Sequence, residues 1–75
     1  MSNSLEIQAF CKNVKGLRVK YNLTKKRMSS LLGIGIKTLN KIEEGILPAR
    51  LSAGVIIKVS ITFEISPSQL FSEME

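Results

Sequence analysis

The stretch LTKKRMSSLLGIGIKTLNKIEEG, residues 23–45, decides the fold of this 75-residue chain. Thr24 can cap a short helix over residues 25–32, and this helix would have an apolar inner side. A turn with two glycines follows, and a second helix is expected from about residue 36 to residue 44, where Gly45 can end it. Two short helices joined by a glycine-containing turn predict a helix-turn-helix motif.

Helical periodicity continues upstream of this motif. Apolar residues recur there at alternating intervals of three and four, which predicts a buried stripe on a first helix: Ile7, Phe10, Val14, Leu17 and Tyr21. Asn22 interrupts the pattern and can adopt the left-handed conformation of a helix end. Gly16 lies inside the predicted helix, where glycine is costly, and it suggests that another helix passes close by.

Two further helices are expected downstream. Ser52 can cap a helix through about Phe63, and although its many β-branched residues would suit a strand, its length and helical spacing favour a helix. The segment 66–69, Ser-Pro-Ser-Gln, is a capping box with proline at the first helical position, so it predicts a short fifth helix. The expected fold is therefore all-α, with five short helices in a single domain over residues 1–75 and the helix-turn-helix at about residues 24–45.

Positive charge is confined to one part of the chain. The whole chain carries +5, yet residues 12–41 hold nine Lys or Arg and no acidic residue, which gives +9. Residues 1–11 carry −1, and residues 42–75 carry −3. Such a concentration is expected of a surface that binds a polyanion, although a solvated basic face without a partner would have the same composition.

Several classes of function are disfavoured by the composition. The chain has no histidine and one cysteine, Cys11, so the common zinc sites and an internal disulfide are excluded, and no metal or cofactor is expected. The most frequent general base is missing, and Glu43 and Glu44, adjacent in a helix, point about 100° apart rather than toward one substrate. No stretch approaches the roughly 18 consecutive apolar residues of a membrane span. A free thiol suits a reducing cytoplasm, so the sequence favours a small, non-enzymatic, cytoplasmic protein.

The motif and its flanks resemble a known family. Residues 23–35, LTxxxMSxxLGIG, and residues 38–45, TLNKIEEG, are similar to the corresponding segments of phage Cro/repressor-type proteins, also called lambda-repressor-like or XRE-type. The pair at residues 17–18, Leu-Arg, and the segment ISPSQLF at 65–71 match as well. The resemblance covers about residues 14–71. It implies a lambda-repressor-like DNA-binding domain with the helix-turn-helix at helices 2 and 3.

The resemblance also implies which residues read DNA bases, because the second helix of such a motif enters the major groove. When the base-contacting positions of the family are mapped one by one onto this sequence, they fall on Lys25, Ile36, Lys37 and Lys41. Asn40 lies on the neighbouring exposed face. Lysine donates to guanine O6 and N7, asparagine pairs with the edge of adenine, and isoleucine can touch the thymine methyl group. The alternatives are ordinary solvated lysines and a packing role for Ile36. The family often has Gln at the places of Lys25 and Ile36, so the preferred bases do not follow from the resemblance.

Contacts to DNA phosphates are expected at the start of the first motif helix. Lys25, Lys26 and Arg27 crowd the positive end of that helix dipole, which is unfavourable unless phosphates lie against it. Lys26 and Arg27 are therefore predicted phosphate contacts, and Lys20 is a third because it is close to the same loop. These contacts would position the protein without reading sequence.

Two residues near the motif are expected to be structural. Arg18 occupies a place where the family's arginine often pairs with an inward glutamate, here Glu43, so we expect it to act inside the domain. Ser29 lies where the two motif helices cross, and a small side chain is needed there.

These observations predict sequence-specific binding of double-stranded DNA by a transcriptional regulator, a repressor of the phage type, acting as a homodimer. Candidate residues for the dimer interface are apolar: Ile46, Leu47, Phe71 and Met74. The alternative is a protein–protein interaction module of the same fold, antitoxin-like or antirepressor-like, with weak affinity for DNA. A membrane-surface protein is a further alternative because the first helix is basic and amphipathic, but the continuous apolar core counts against it.

Overall fold

A computed structural model describes residues 3–48 and 52–72 of the chain. Within these residues the chain is helical and contains no strand, so the expectation of an all-α fold is confirmed. Five helices are present in the described part: α1 (Asn3–Lys20), α2 (Lys25–Leu32), α3 (Ile36–Glu43), α4 (Ser52–Phe63) and α5 (Pro67–Leu70). α1 packs against α3 and α5, α4 packs against α2 and α5, and α2 packs against α3. This arrangement leaves one side of α3 free of the other helices.

The core is built from one side of each helix. The apolar stripe predicted for α1 is confirmed at Phe10, Val14 and Leu17, which are buried, whereas Tyr21 at its end is exposed. The other helices contribute further buried side chains: Met28 and Leu32 from α2, Leu39 and Ile42 from α3, Val55 and Val59 from α4, and Leu70 from α5. Because every helix buries at least one apolar side chain in a common cluster, packing rather than helix propensity holds these short helices in place.

Helix α4 forms despite its β-branched sequence. Val55 and Val59 are buried, while Ile57 and Ile61, which lie between and after them, are exposed. A strand would place these four residues on the same face, because side chains alternate with a period of two. The observed burial therefore follows the helical period, as the length and spacing of the segment predict.

The helix ends are determined locally, as expected from the sequence. The Thr24 hydroxyl accepts a hydrogen bond from the Arg27 amide at 3.0 Å, and the capping box at the start of α5 is complete. Asn22 has a φ of 58° and Gly33 a φ of 69°. These left-handed residues end α1 and α2 and turn the chain toward the next helix.

One prediction about packing is wrong. Gly16 does not mark a close helix crossing, because a Cβ atom built at this position would meet nothing within 4 Å. The glycine lies instead on the lining of a surface groove.

Candidate nucleic-acid interface

The turn between α2 and α3 holds the two helices in a fixed relationship. The amide of Ile34 donates to the Ser29 carbonyl at 3.0 Å, and the amide of Gly33 donates to the Ser30 carbonyl at 3.2 Å. Ser29 is buried, and its hydroxyl is satisfied by the Lys26 carbonyl at 2.8 Å. A small, internally bonded side chain at this place lets the two helices approach closely, in agreement with the prediction for Ser29.

A buried ion pair fastens α3 to α1. Arg18 Nε donates to Glu43 Oε2 at 2.6 Å, and Arg18 Nη2 donates to Glu43 Oε1 at 3.2 Å. Arg18 Nη1 also donates to the Leu23 carbonyl at 3.1 Å, so the same guanidinium ties down the loop before α2. The two side chains are largely buried, at 17% and 5% exposure. The predicted structural role of Arg18 is therefore confirmed.

The side of α3 that faces away from the core carries the residues predicted to read bases. Leu39 and Ile42 are fully buried on its inner side, which fixes the rotation of the helix about its axis. Lys37 and Lys41 are exposed as a result, and Ile36 is 43% exposed at the start of the helix. Two cations and one apolar side chain are thus presented together on an open helical surface, which we call the α3 outer face (residues 36, 37, 40 and 41).

A hydrogen bond between helices joins α2 to this face. Lys25 Nζ donates to Asn40 Oδ1 at 2.8 Å, across an exposed site. The resemblance placed Lys25 among the base-contacting positions and Asn40 on the neighbouring exposed face, but no sequence signal indicated that they touch, since they are fifteen positions apart. The structure therefore brings Lys25 into one group with residues 36–41.

The other predicted phosphate contacts lie in two places. Lys26 and Arg27 are exposed in the first turn of α2, which contains no acidic residue. Lys20 lies elsewhere on the surface. Its ammonium is over the Tyr21 ring, 5.7 Å from the centroid, and its side chain lines a surface groove together with Phe63. The structure therefore places Lys26 and Arg27 beside Lys25 in the first turn of α2, whereas Lys20 lies at the end of α1.

The charges around this surface are almost entirely positive. Of the two glutamates at the end of α3, Glu43 is neutralised by Arg18, and Glu44 is exposed at the helix C-terminus. The amino ends of α2 and α3 have no acidic residue in their first turns. Two helix N-termini and five exposed cations (Lys25, Lys26, Arg27, Lys37 and Lys41) produce a field that favours an anionic, hydrogen-bond-accepting ligand.

Two other kinds of site are not found in the part of the chain that the structure covers. No group of three or more His, Cys, Asp or Glu among residues 3–48 and 52–72 could hold a metal ion. Over the same ranges, no helix has the length and apolar character needed to cross a membrane. Cys11 is a buried free thiol, and burial raises its pKa above the ordinary value of 9.0.

Comparison with known proteins agrees with this geometry. A family model described as a helix-turn-helix domain matches residues 11–73, which is most of the chain. No curated protein and no solved structure is significantly similar to the sequence. The chain therefore belongs to the helix-turn-helix domain family, of the XRE/Cro-repressor type, and this membership indicates DNA binding and a role in transcription regulation.

Proposed function

We propose that this helix-turn-helix protein is a repressor of the phage type that binds a specific double-stranded DNA operator as a homodimer in the cytoplasm. The observation that carries the proposal is the α3 outer face, which presents two cations, an apolar side chain and an amide on a helix locked by Leu39, Ile42 and the Arg18–Glu43 pair. Repression would follow from occupancy of the operator, without catalysis, metal or cofactor.

The α3 outer face suits the major groove because its side chains complement base edges. Lys37 and Lys41 are one helical turn apart and can donate to O6 and N7 of neighbouring guanines. Ile36, at the helix N-terminus, can contact a thymine methyl group. In proteins of this type the N-terminal residues of the second motif helix lie nearest to the bases.

The Lys25–Asn40 hydrogen bond orients the side chain with which Asn40 would read a base. An ammonium group only donates, so one lone pair of the Asn40 oxygen accepts from Lys25, and the second lone pair and the NH2 group remain available. A bidentate contact with adenine needs both the oxygen and the NH2 group. Asn40 can therefore still pair with adenine, while Lys25 holds its amide in one orientation.

Phosphate contacts are assigned to the amino end of α2. Lys26 and Arg27 are exposed there, beside backbone amides at the positive end of the helix dipole. The cationic first turn, unfavourable in the free protein, is stabilised when a phosphate binds. Lys20 remains a predicted phosphate contact, although it lies on a different part of the surface.

The homodimer is supported by exposed apolar side chains, but these differ from the expected set. Ile46 is 54% exposed, whereas Leu47 is half-buried and Phe71 packs on Phe10 with ring centroids 5.3 Å apart. Met74 lies outside the described residues. Two other apolar side chains of the C-terminal half have larger exposed fractions than Ile46. They are Ile57 and Ile61 on α4, which are 56% and 70% exposed.

The same α4 side chains also favour the alternative function, a protein–protein interaction module of antitoxin or antirepressor type. Two isoleucines one turn apart form an apolar strip that water solvates poorly, and such strips often bind protein. On this alternative the affinity for DNA would be weak and would depend little on sequence.

Selection from random duplex DNA tests the proposal. Bound fragments are enriched, and the winning duplex and a scrambled duplex of equal composition are titrated at several salt concentrations. The repressor proposal requires that the winner bind more than about 10³-fold tighter, with a log–log salt slope steeper than roughly −3. A winning site with two-fold symmetry would support the homodimer. Equal affinity for both duplexes would mean that DNA is bound only by non-specific electrostatic attraction, and it would favour the protein-interaction alternative.

A further inference from the structure

A groove lies between α1 and the C-terminal end of α4. Its volume is about 420 Å³, and we call it the α1–α4 groove after the side chains that define it: Lys12, Gly16, Lys20, Tyr21, Phe63 and Ile65. Gly16 and Arg18 are two positions apart and therefore point about 200° apart around the helix. Since Arg18 faces α3, the groove lies on the opposite side of α1 from the α3 outer face.

Gly16 leaves space in the floor of this groove. Glycine in the interior of a helix is destabilising, and nothing lies within 4 Å of a Cβ atom built at this position. Among residues 3–48 and 52–72, no contact therefore requires a glycine here. Its effect in the structure is to keep the groove open at the middle of α1.

The lining of the groove combines two lysines with two aromatic rings. Lys12, Gly16 and Lys20 follow one another at intervals of four, so the two lysines lie on the same side of α1 as the glycine. None of the described residues that line the groove is acidic. The rings of Tyr21 and Phe63 pack with centroids 5.3 Å apart at an angle of 37° and form an apolar wall, and the Lys20 ammonium lies 5.7 Å from the Tyr21 centroid.

The amide nitrogen of Asn13, which also lines the groove, is already satisfied. The Asn13 amide nitrogen donates to the Leu70 carbonyl at 2.8 Å and to the Ser72 carbonyl at 2.7 Å. Asn13 therefore contributes to holding α5 against α1 and offers no free donor to the groove. Recognition of a ligand rests on the two ammonium groups and on the apolar wall.

We propose that the α1–α4 groove binds a small aromatic carboxylate. A flat ring fits between the floor at Gly16 and the Tyr21–Phe63 wall, and the carboxylate pairs with Lys12 or Lys20. The volume is in the range of sites for small molecules, and such sites combine an apolar lining with a few polar groups that fix orientation. The site lies on the other side of α1 from the α3 outer face, and it shares Lys20 with the predicted phosphate contacts.

The direct test is a titration of the full chain, labelled with ¹⁵N, with 1-naphthoate and with the uncharged analogue 1-naphthylmethanol. We expect saturable shifts that are largest at Gly16, Lys20 and Tyr21, with a Kd of about 1 mM or tighter for so small a ligand. Tyr21 is the only tyrosine, so its ring signals report on the groove directly. The carboxylate should bind about fivefold more tightly than the alcohol, because only the carboxylate pairs with a lysine.

Variants distinguish binding of 1-naphthoate in the groove from non-specific binding. Gly16→Leu should weaken 1-naphthoate binding at least about tenfold while the helix is retained, because leucine is a good helix former and its Cβ has space. Lys12→Gln and Lys20→Gln together should remove the preference for the carboxylate over the alcohol. Lys15→Gln, an exposed lysine of α1 outside the lining, is the matched control and should bind like the wild type.

Four results would overturn the proposal: no saturation below about 10 mM, equal affinity for carboxylate and alcohol, unchanged binding by Gly16→Leu, or shifts centred on the α3 outer face. The lysines could instead serve DNA phosphates. In that case Lys20→Gln would weaken duplex binding and lower its salt slope by about 1, while 1-naphthoate would not bind. Because the titration contains no DNA, it decides on this site whatever the outcome of the operator experiment.

Discussion

Arg18 on α1 and Glu43 at the end of α3 meet side by side, with two hydrogen bonds between guanidinium and carboxylate, the shorter one at 2.6 Å. The pair connects α3, which carries the residues proposed to contact bases, to α1. The same guanidinium binds the Leu23 carbonyl, so one side chain sets the positions of α3 and of the loop before α2. The orientation of the α3 outer face therefore depends on a contact made outside the helix-turn-helix motif.

Removing the acidic partner should destabilise the fold. Glu43→Ala leaves the Arg18 guanidinium largely buried without its counter-ion, so the free energy of unfolding should fall by about 3–5 kcal/mol. Urea denaturation measures the change. Glu44→Ala, an exposed neighbour at the helix C-terminus, is the control and should change stability by less than about 0.5 kcal/mol. Equal effects of the two substitutions would show that the pair does not stabilise the domain.

The two glycines of the motif turn should respond in opposite ways. Gly33 has a φ of 69°, so Gly33→Ala should cost about 1–2 kcal/mol of stability. Gly35 precedes α3 at a φ of −77° with no side-chain cap, and Gly35→Ser supplies one, so stability should be unchanged or higher by roughly 0.3 kcal/mol. Thermal denaturation of both variants checks this. A loss at Gly35→Ser as large as at Gly33→Ala would contradict the assigned backbone conformations.

Base reading and phosphate binding should separate by mutation. Lys37→Ala removes a donor from the α3 outer face and should change the preferred sequence, with a loss of about 1–3 kcal/mol on the wild-type operator. Lys26→Ala should weaken all duplexes alike and reduce the salt slope by about 1. Parallel selections from random DNA measure both effects. If both variants lowered affinity uniformly, α3 would not be the reading helix.

The Lys25–Asn40 bond predicts that Lys25 contributes to what Asn40 recognises. Lys25→Met removes a hydrogen bond that holds the Asn40 amide in one orientation, so the amide should be less well positioned for a base edge. Sites selected by this variant from random DNA should lose base preference at the Asn40 position of each half-site, as should those of Asn40→Ala. An unchanged base preference in Lys25→Met would mean that Lys25 does not position Asn40 on DNA.

Burial of Cys11 predicts a loss of stability at high pH. Burial raises the pKa of the folded thiol above 9.0, so above that pH the unfolded chain ionises before the folded one and unfolding becomes more favourable. Well below pH 9 the thiol is protonated in both states and does not affect stability. Between pH 8 and pH 10 the stability of the wild type should fall more steeply than that of Cys11→Ala, in which all other titrating groups are the same. If the free energy of unfolding changed with pH by the same amount in the two proteins, the thiol would have the same pKa in the folded and the unfolded chain.

Helix positions and ends followed from the sequence because they depend on residues close together in the chain. Thr24, Gly33 and the capping box at the start of α5 each determine a helix end through bonds within a few positions. The burial pattern of α4 also followed from spacing, since the helical period separates Val55 and Val59 from Ile57 and Ile61. The Arg18–Glu43 pair is different, because only the resemblance to a family indicated it.

The sequence by itself determined the all-α fold, the helix-turn-helix and the location of the positive charge in residues 12–41. The packing of the helices decided which side chains meet across them. It joined Lys25 to Asn40, packed Tyr21 on Phe63, and left open space at Gly16 where a helix contact was expected. Helical periodicity specifies which side of each helix is buried, but the rotation and offset of one helix against the next arise from the whole core. For this reason contacts between distant residues were visible only in the tertiary structure.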